Sequence, residues 1–255
     1  MFPEERQAAI VSRLLKRGKV FVKDLADEFS VTEDCIRKDL SNLERQGKLK
    51  RTYGGAVPMI ESLHMMESGK HRNTDVDAKR RIAQVAVKLL KTNDMVFLDI
   101  STSNLAIAEL IAKKELDVSV ATNMIDILVV LARCPKIPVY FAGGRINKGR
   151  DGFWGAMTSD FISHLKPDVA FVGAVGVDVK ANSVSTYDIE DGMNKAAIVK
   201  ISKSAYVVAE SRKLSSDGNY NYVSLDALTG LVTDSMPSRA VCQAADKLGV
   251  KIITP

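Results

Sequence analysis

Apolar residues in the first fifty positions recur with the period of helices that bury one face. This pattern predicts helices over residues 3–17, 23–29 and 33–46, with Thr32 as the N-cap of the third. Ser30-Val31-Thr32 supplies a tight turn between the second and third helices. Three helices with such a turn, followed by two short extended runs around Gly54-Gly55, predict a winged helix-turn-helix.

From residue 95 onward, the pattern changes to short apolar runs that alternate with helical stretches. The predicted strands span residues 95–100, 118–121, 139–142, 169–172, 205–209, 230–233 and 250–253. The predicted helices span residues 77–91, 104–112, 125–132, 158–165, 191–203 and 238–247. Strands that are apolar throughout and joined by helices indicate a parallel sheet covered on both faces, so the fold class is α/β.

Between these two patterns lies a polar stretch that predicts a linker. Residues 58–76 lack a hydrophobic period and contain Pro58 and Gly69. We therefore expect a DNA-binding domain over residues 1–57, a linker over 58–76 and an α/β domain over 77–255. A length of 255 residues is sufficient for two such domains.

Charge adds a reason to expect a nucleic-acid partner for the first domain. The net charge is +5, and residues 1–81 hold 17 basic against 13 acidic side chains. The remaining residues hold 19 against 18, so most of the excess lies in the first third. A hydrophobic fraction of 46% supports a globular chain with a packed core.

Composition also predicts a cytoplasmic protein without a metal or cofactor. Cys35, Cys134 and Cys242 are scattered, as expected for a reducing compartment, and His64, His71 and His164 are isolated. The charged start lacks the apolar core of a signal peptide, and no apolar window is long enough for a membrane helix.

The third helix is the candidate element for reading the major groove of DNA. Ile36, Leu40 and Leu43 form its buried stripe, which leaves a basic face outward. The candidate DNA contacts are Thr32, Cys35, Arg37 and Lys38 at this helix and Lys50, Arg51 and Tyr53 in the hairpin. A merely solvated helix face is the alternative, but the turn, cap, stripe and basic hairpin in register favour DNA binding.

Polar and glycine residues follow most of the predicted parallel strands, where ligands bind in open sheets. The candidate effector contacts are Asp99, Ser101, Thr102, Ser103, Thr122, Asn123, Gly143, Gly144, Gly173, Gly176, Lys195 and Lys213. Taken singly, these positions also have purely structural explanations. Ser101–Ser103 could merely cap a helix, and Asp188, Glu190 and Asp191 could be acidic residues favoured by the dipole at a helix N-terminus. Their convergence at one sheet edge favours a phosphorylated ligand.

The segment VTEDCIRKDLSNLERQGKLKRTYGGAV resembles the DNA-binding signature of the DeoR family of bacterial sugar-metabolism regulators. That signature usually has Thr where Cys35 stands and Arg where Lys38 stands. The resemblance continues through DISTS, Thr122-Asn123, Gly143-Gly144, AFVGAVGVD, EDGMNK and ESRK, with Ile100-Ser101 replacing the usual Ser-Gly. It implies that Arg37, Lys38 and Arg51 touch DNA. It also implies a Rossmann-like sensor domain similar to ribose-5-phosphate isomerase, with phosphorylated sugars as effectors.

These observations predict a transcriptional repressor of a sugar operon that binds double-stranded operator DNA and answers to a phosphorylated sugar. Helix-turn-helix proteins pair on symmetric half-sites, so we expect a homodimer or homotetramer. One alternative is an isomerase-like enzyme acting on a sugar phosphate, in which Asp99, Glu190 and Lys195 would supply acid–base groups. Because no nucleophile–base pair stands out, we assign no catalytic residue. A constitutive DNA-binding protein with a vestigial sensor is the third possibility.

Overall fold

The computed structural model describes residues 3–17, 19–46, 48–57 and 74–255. Two compact units divide the chain, residues 1–69 and residues 70–255. No helix among the described residues combines the length and apolarity that crossing a bilayer requires. Most of the predicted linker lies outside the described residues, so its bounds remain a prediction.

The first unit contains the predicted helices and a small antiparallel sheet. Its elements are α1 (Pro3–Arg17), β1 (Val20–Phe21), α2 (Val22–Phe29), α3 (Glu33–Arg45), β2 (Lys50–Thr52) and β3 (Gly55–Val57). The sheet has the order β1-β3-β2. Ala56 of the central strand β3 lies opposite Val20 of β1 on one side and opposite Arg51 of β2 on the other. Ile10, Leu14 and Leu25 pack in one core with the buried stripe of α3. This is the winged helix-turn-helix that the sequence predicts.

The second unit is built on a seven-stranded, wholly parallel sheet. Its strands are β4 (Met95–Leu98), β5 (Ser119–Thr122), β6 (Val139–Phe141), β9 (Val169–Gly173), β12 (Ser204–Val208), β14 (Gly230–Val232) and β15 (Lys251–Ile253). The associated helices are α4 (Val76–Ala86), α5 (Thr102–Lys114), α6 (Ile125–Leu131), α7 (Ala156–Ser163), α8 (Ile189–Ile201) and α9 (Arg239–Lys247). Every predicted strand and helix of this unit is present within about two residues of its expected bounds, except that the helix predicted over 77–91 is shorter.

Helices cover both faces of this sheet, as its apolar strands require. On one face, Ile82 of α4, Ile107 of α5 and Ile127 of α6 pack against the strands. On the other face, Ile162 of α7 and Ile198 of α8 do so, together with α9. The result is a three-layered, Rossmann-like α/β unit.

The strand order β15-β14-β12-β9-β4-β5-β6 determines where a ligand can bind. The chain runs outward from β4 to β6, returns to place β9 on the other side of β4, and then continues to β15. β4 and β9 are therefore neighbours whose connections leave in opposite directions, which opens a crevice at their carboxyl ends. Val96 lies opposite Val169 in this pair, and both strands end at the same edge.

Two features of the second unit differ from the sequence prediction. The predicted helix over 77–91 ends at Ala86 and continues only as a 3₁₀ turn to Leu89, because Lys91 N–H instead donates to the Asp94 carboxylate at 2.8 Å. The unit also contains two small antiparallel sheets in addition to the parallel one. They are the hairpin of β7 (Arg145–Ile146) and β8 (Phe153–Trp154), and the three-stranded sheet of β10 (Gly176–Asp178), β11 (Ser183–Thr186) and β13 (Tyr220–Val223). Most of these strands are interrupted by polar residues, and β8 has only two residues, so none shows the mostly apolar run that marks the parallel strands.

Candidate functional site

The start of α3 combines a defined helix cap with an exposed polar face. The Thr32 hydroxyl accepts a hydrogen bond from Cys35 N–H at 3.3 Å, which confirms the predicted N-cap. Arg37 and Lys38 are exposed, whereas Cys35 is half-buried. The predicted contacts at this helix thus lie on its outer side, opposite the buried stripe of Ile36, Leu40 and Leu43.

The guanidinium of Arg37 is held by two acidic side chains of its own helix. Its Nη2 lies 2.7 Å from Glu33 Oε2, and its Nη1 lies 3.0 Å from Asp34 Oδ1. These partners precede Arg37 by one turn, so they direct the guanidinium toward the helix N-terminus, the end that enters a major groove. The apolar pattern of the sequence does not reveal this arrangement.

A buried ion pair fixes α3 against α1. The Asp39 carboxylate, 4% exposed, accepts from Arg6 Nε at 2.6 Å and from Gln7 Nε2 at 2.9 Å. The hydrogen bond to Asp39 raises the pKa of Arg6, which therefore stays protonated. The orientation of the exposed face of α3 consequently depends on a contact that the apolar pattern alone cannot reveal.

The hairpin β2–β3 presents the other predicted DNA contacts to solvent. Lys50 and Arg51 are exposed on β2, and Tyr53 is fully exposed at the tip. Arg51 N–H donates to Glu44 Oε1 at 2.8 Å and so ties β2 to α3. A Cβ on Gly55 would lie 2.0 Å from the Val20 carbonyl oxygen, so only glycine permits this close strand pairing. Helix and hairpin form one polar, mostly cationic surface.

In the second unit, a buried charge cluster occupies the crevice between β4 and β9. Asp99 Oδ2 lies 2.7 Å from Lys195 Nζ, which also lies 2.8 Å from Asp191 Oδ1. Asp99 Oδ1 accepts from Gly173 N–H at 3.0 Å and from the Asn104 amide. Asp99 and Lys195, expected separately from the sequence, are thus direct partners, and Asp191 is a buried partner rather than a plain N-terminal acid.

The cluster holds one more carboxylate than cation, and its protonation reflects this. Burial opposes the charge on Lys195, but Asp191 and Asp99 outweigh it and raise the pKa of Lys195, which stays protonated. Burial also raises the pKa of Asp99 above its ordinary value. Lys195 is therefore unsuited to act as a general base, although it can donate a hydrogen bond.

The N-terminus of α5 borders this cluster. Ser101 is the N-cap, and its hydroxyl accepts from Ser103 N–H at 3.2 Å; Thr102 is half-buried and Ser103 is buried. A Cβ on Gly173 would lie 2.5 Å from Ser101 Cβ, so the loop after β4 lies directly against the end of β9. The capping role that the sequence left open for Ser101 is present, beside the crevice.

The loops after β5 and β6 extend the edge on one side. Thr122 Oγ1 accepts from Met124 N–H at 3.1 Å, and Asn123 Nδ2 donates to the Phe153 carbonyl at 3.0 Å. Gly144 has a φ of 156°, and a Cβ there would lie 2.3 Å from Thr158 Oγ1, whereas Gly143 faces open space. Thr122, Asn123 and Gly144 therefore have structural contacts of their own at this edge.

On the other side of β9, Lys213 reaches back toward the same edge. Its Nζ donates to the Ala174 carbonyl at 2.9 Å and lies 3.0 Å from Glu210 Oε2. Tyr222, which the sequence analysis did not single out, donates its hydroxyl to the Gly173 carbonyl at 2.9 Å. A Cβ on Gly176 would lie 2.1 Å from the Ser216 carbonyl oxygen. The residues of the crevice are thus held by a network that continues beyond the predicted set.

Several polar atoms buried near this edge lack a hydrogen-bond partner within the described part of the chain. They are Asn104 Oδ1, Asn123 Oδ1 and Asn194 Nδ2. Such atoms are costly unless a ligand or water satisfies them. Within residues 3–57 and 74–255, as far as described, no cluster of His, Cys, Asp and Glu is arranged for a metal ion. His64 and His71 lie outside the described residues.

Two family models match the chain, one for each unit. Residues 6–61 match the DeoR-like helix-turn-helix domain, and residues 74–235 match the DeoR C terminal sensor domain. The chain belongs to the DeoR family. The family resemblance seen in the sequence is thereby confirmed.

Relatives align over almost the whole chain. The HTH-type transcriptional repressor GlcR of Bacillus subtilis is 30% identical, covering 99% of this chain and 96% of its own. The lactose phosphotransferase system repressor of Streptococcus mutans is 28% identical, with 97% and 96% covered. The glycerol-3-phosphate regulon repressor of Escherichia coli is 26% identical, with 94% of each chain covered. This DeoR-family chain is accordingly a DNA-binding transcriptional regulator.

Solved structures resemble this DeoR-family chain in fold only. Ribose 5-phosphate isomerase A of Methanocaldococcus jannaschii has a TM-score of 0.41 and 16% identity over 55% of each chain. Translation initiation factor eIF-2B of Pyrococcus horikoshii has a TM-score of 0.46 and 14% identity over 91% of this chain and 87% of its own.

Proposed function

We propose that this protein represses a carbohydrate operon by binding its operator through α3 and the β2–β3 hairpin, and that a phosphorylated sugar changes its operator affinity. The DNA contacts are Thr32, Cys35, Arg37, Lys38, Lys50, Arg51 and Tyr53. The observation that supports this half is the exposed cationic surface of α3 and hairpin, with Arg37 directed toward the helix N-terminus. Arginine so directed can pair bidentately with guanine, while the hairpin lysine and arginine neutralise phosphates.

The effector half of the proposal rests on the buried crevice between β4 and β9. A protonated lysine and a capped helix N-terminus lie there, near buried amide atoms that lack a hydrogen-bond partner among the described residues, and all are suited to the phosphate and hydroxyl groups of a sugar phosphate. The twelve predicted effector contacts remain the proposed set, with Gly176 as a packing position within it. Relatives named for the glycerol-3-phosphate regulon and the lactose phosphotransferase system support this class of ligand.

The direct test measures operator binding by fluorescence anisotropy, using labelled promoter DNA from upstream of the protein's own coding sequence. The probes are glucose 6-phosphate, fructose 6-phosphate, ribose 5-phosphate, glycerol 3-phosphate and inorganic phosphate. At least one sugar phosphate should change the operator Kd by about fivefold or more. An operator Kd that stays constant with every probe would contradict effector control.

Charge reversal separates the two halves of the proposal. Arg37→Glu should abolish operator binding and leave the sugar-phosphate-induced shift in melting temperature unchanged. Lys113→Glu, an exposed position on α5, is the matched control and should bind operator normally. Normal operator binding by Arg37→Glu would show that α3 is not the DNA-reading element.

We further propose that the protein is not an enzyme. Lys195 is held between two carboxylates, and Glu190 is paired with Arg145, so neither is poised as a base. Turnover of ribose 5-phosphate by the purified protein, followed by NMR, would reverse this assignment. We propose that the protein is cytoplasmic and forms a homodimer or homotetramer. Light scattering of the purified protein would measure its molar mass and so distinguish the two oligomeric states.

A further inference from the structure

A second buried carboxylate lies one strand away from the proposed effector crevice. Glu210 follows β12 and is 2% exposed. Three cations surround it: Lys213 Nζ lies 3.0 Å from Oε2, while Arg212 Nη2 and Lys79 Nζ lie 3.7 Å and 4.0 Å from Oε1. Burial alone would raise the pKa of Glu210, but the surrounding cations, Lys213 foremost, lower it, so the carboxylate is charged.

On one side, Glu210 is linked to the effector crevice through Lys213. Besides facing Glu210, Lys213 Nζ donates to the Ala174 carbonyl at 2.9 Å. Ala174 directly follows Gly173, whose N–H donates to Asp99. A phosphate in the crevice and the Glu210 carboxylate would therefore compete for the same ammonium group.

On the other side, Glu210 is linked to the residues that lead into α4. Lys79, 3% exposed, donates to the Thr74 carbonyl at 2.7 Å. Arg212 Nε lies 2.7 Å from Asp75 Oδ2, and Asp75 has a left-handed φ of 53° immediately before α4. Both cations that approach Glu210 Oε1 thus also contact residues 74–75, at the start of the second unit.

We propose that Glu210 is the relay that connects effector binding at Lys213 with the conformation of residues 74–75, where the chain enters the sensor unit from the DNA-binding unit. This inference rests on the proposed function. When a phosphate draws Lys213 away, Glu210 loses its nearest counter-charge in a buried setting, where charge interactions are strong. Its carboxylate then attracts Lys79 and Arg212 more strongly, at the expense of their contacts to Thr74 and Asp75.

The relay is tested in the full-length protein as the ratio of operator Kd with and without the most effective probe of the sugar-phosphate panel. Glu210→Gln removes the charge at the centre of the relay, and Asp75→Asn removes one contact at its far end. Each should reduce the ratio to less than about twofold, below the usual range of allosteric coupling. Asp75→Asn should retain the wild-type melting shift with the same probe, because it lies outside the crevice.

Asp77→Asn is the matched control for Asp75→Asn, since Asp77 lies two residues after Asp75 and its side chain is 83% exposed. It should respond to the probe as the wild type does. If Glu210→Gln fails to fold, Arg212→Gln replaces it, because the Arg212 side chain is 47% exposed and contacts both Glu210 and Asp75.

The outcomes separate this inference from the proposed function. If no probe changes the operator Kd of the wild-type protein, both the proposed effector control and the relay are overturned. If the wild type responds to a probe, and Asp75→Asn and the Glu210 or Arg212 variant keep the wild-type ratio of operator Kd with and without that probe, the relay alone is overturned. A parallel loss of probe binding and coupling in Asp75→Asn also overturns it, because that pattern indicates a merely structural contact.

Discussion

Arg37 and Lys50 carry the same charge on the proposed DNA surface, but their surroundings differ. Arg37 is oriented by Glu33 and Asp34 toward the N-terminal end of α3, which we propose enters the groove, whereas Lys50 lies exposed on the hairpin. An oriented guanidinium can distinguish bases, and an exposed ammonium can mainly neutralise phosphate. The two residues should therefore contribute differently to operator binding.

Arg37→Gln and Lys50→Gln make this difference measurable. Arg37→Gln should weaken operator binding by about 1–3 kcal/mol and narrow the gap between operator and unrelated DNA. Lys50→Gln should weaken binding to both DNAs alike and reduce the slope of log K against log salt by about one unit. Anisotropy titrations at several salt concentrations check both, and equal specificity losses in the two variants would contradict the assignment.

Two glycines at the sheet edge differ in how much room surrounds them. A Cβ on Gly173 would lie 2.5 Å from Ser101 Cβ, whereas Gly143 has no heavy atom within 4 Å of that position. Gly173→Ala should therefore displace the cap of α5, lower stability by about 1–3 kcal/mol and weaken the sugar-phosphate response. Gly143→Ala, the control, should leave the melting temperature nearly unchanged. Similar melting temperatures for both variants would contradict the close packing of Gly173 on Ser101.

At the residue scale, the sequence identified polar positions better than it identified their partners. Asp99 and Lys195 were predictable because they follow a strand and begin a helix, in positions that face an open sheet edge. Asp191, Asn104 and Tyr222 were not, because only the packing of α5, α8 and β13 around β9 brings them into contact. Gly176 illustrates the reverse: a Cβ there would meet the Ser216 backbone, a packing reason for glycine that the sequence pattern does not show.

At the element scale, side chains that join neighbouring elements add to the apolar pattern. Asp168, just before β9, accepts from Met95 N–H of β4 at 2.8 Å and pairs with Lys203 at 2.6 Å. The Lys203 hydrogen bond and the Met95 N–H lower the pKa of Asp168 below its ordinary 3.8. Folding therefore gains stability from this carboxylate above the ordinary pKa, and the gain disappears as the pH falls through the lowered value.

Asp168→Asn should accordingly lower the melting temperature at pH 7 by about 2–3 °C. The difference between variant and wild type should shrink as the pH is lowered below 4. Differential scanning calorimetry over a pH series checks this, with Asp160→Asn as the exposed control. A difference that persists unchanged at low pH would show that the carboxylate charge is not the cause.

The elements themselves were largely predictable, and the exceptions have physical reasons. Mostly apolar runs and amphipathic helices stand out in the sequence, so all seven parallel strands and their helices were found. The pieces β7, β8, β10, β11 and β13 are short and mostly interrupted by polar residues, so they show no such apolar run. Their placement depends on tertiary pairing, such as that of Val184 with Val223.

At the scale of the whole molecule, two compact units imply that the sensor can be studied alone. The fragment 74–255 should fold and keep the melting shift with the sugar phosphate that acts on the full chain, without binding operator. The shorter fragment 77–255 should be less stable, because it lacks the Thr74 and Asp75 partners of Lys79 and Arg212. Thermal unfolding of both fragments checks this, and equal stability would contradict a role for these contacts.

The linear pattern of this chain determined its two domain classes, its strand–helix alternation and the helix proposed to read DNA, because each depends on periodicity or a contiguous motif. The tertiary structure decided the strand order that opens the crevice between β4 and β9, and it decided which charges meet. Lys195 meets Asp99 across 96 residues, and Lys79 approaches Glu210 across 131. Such pairings depend on how sheet layers assemble in space, and no local spacing encodes them.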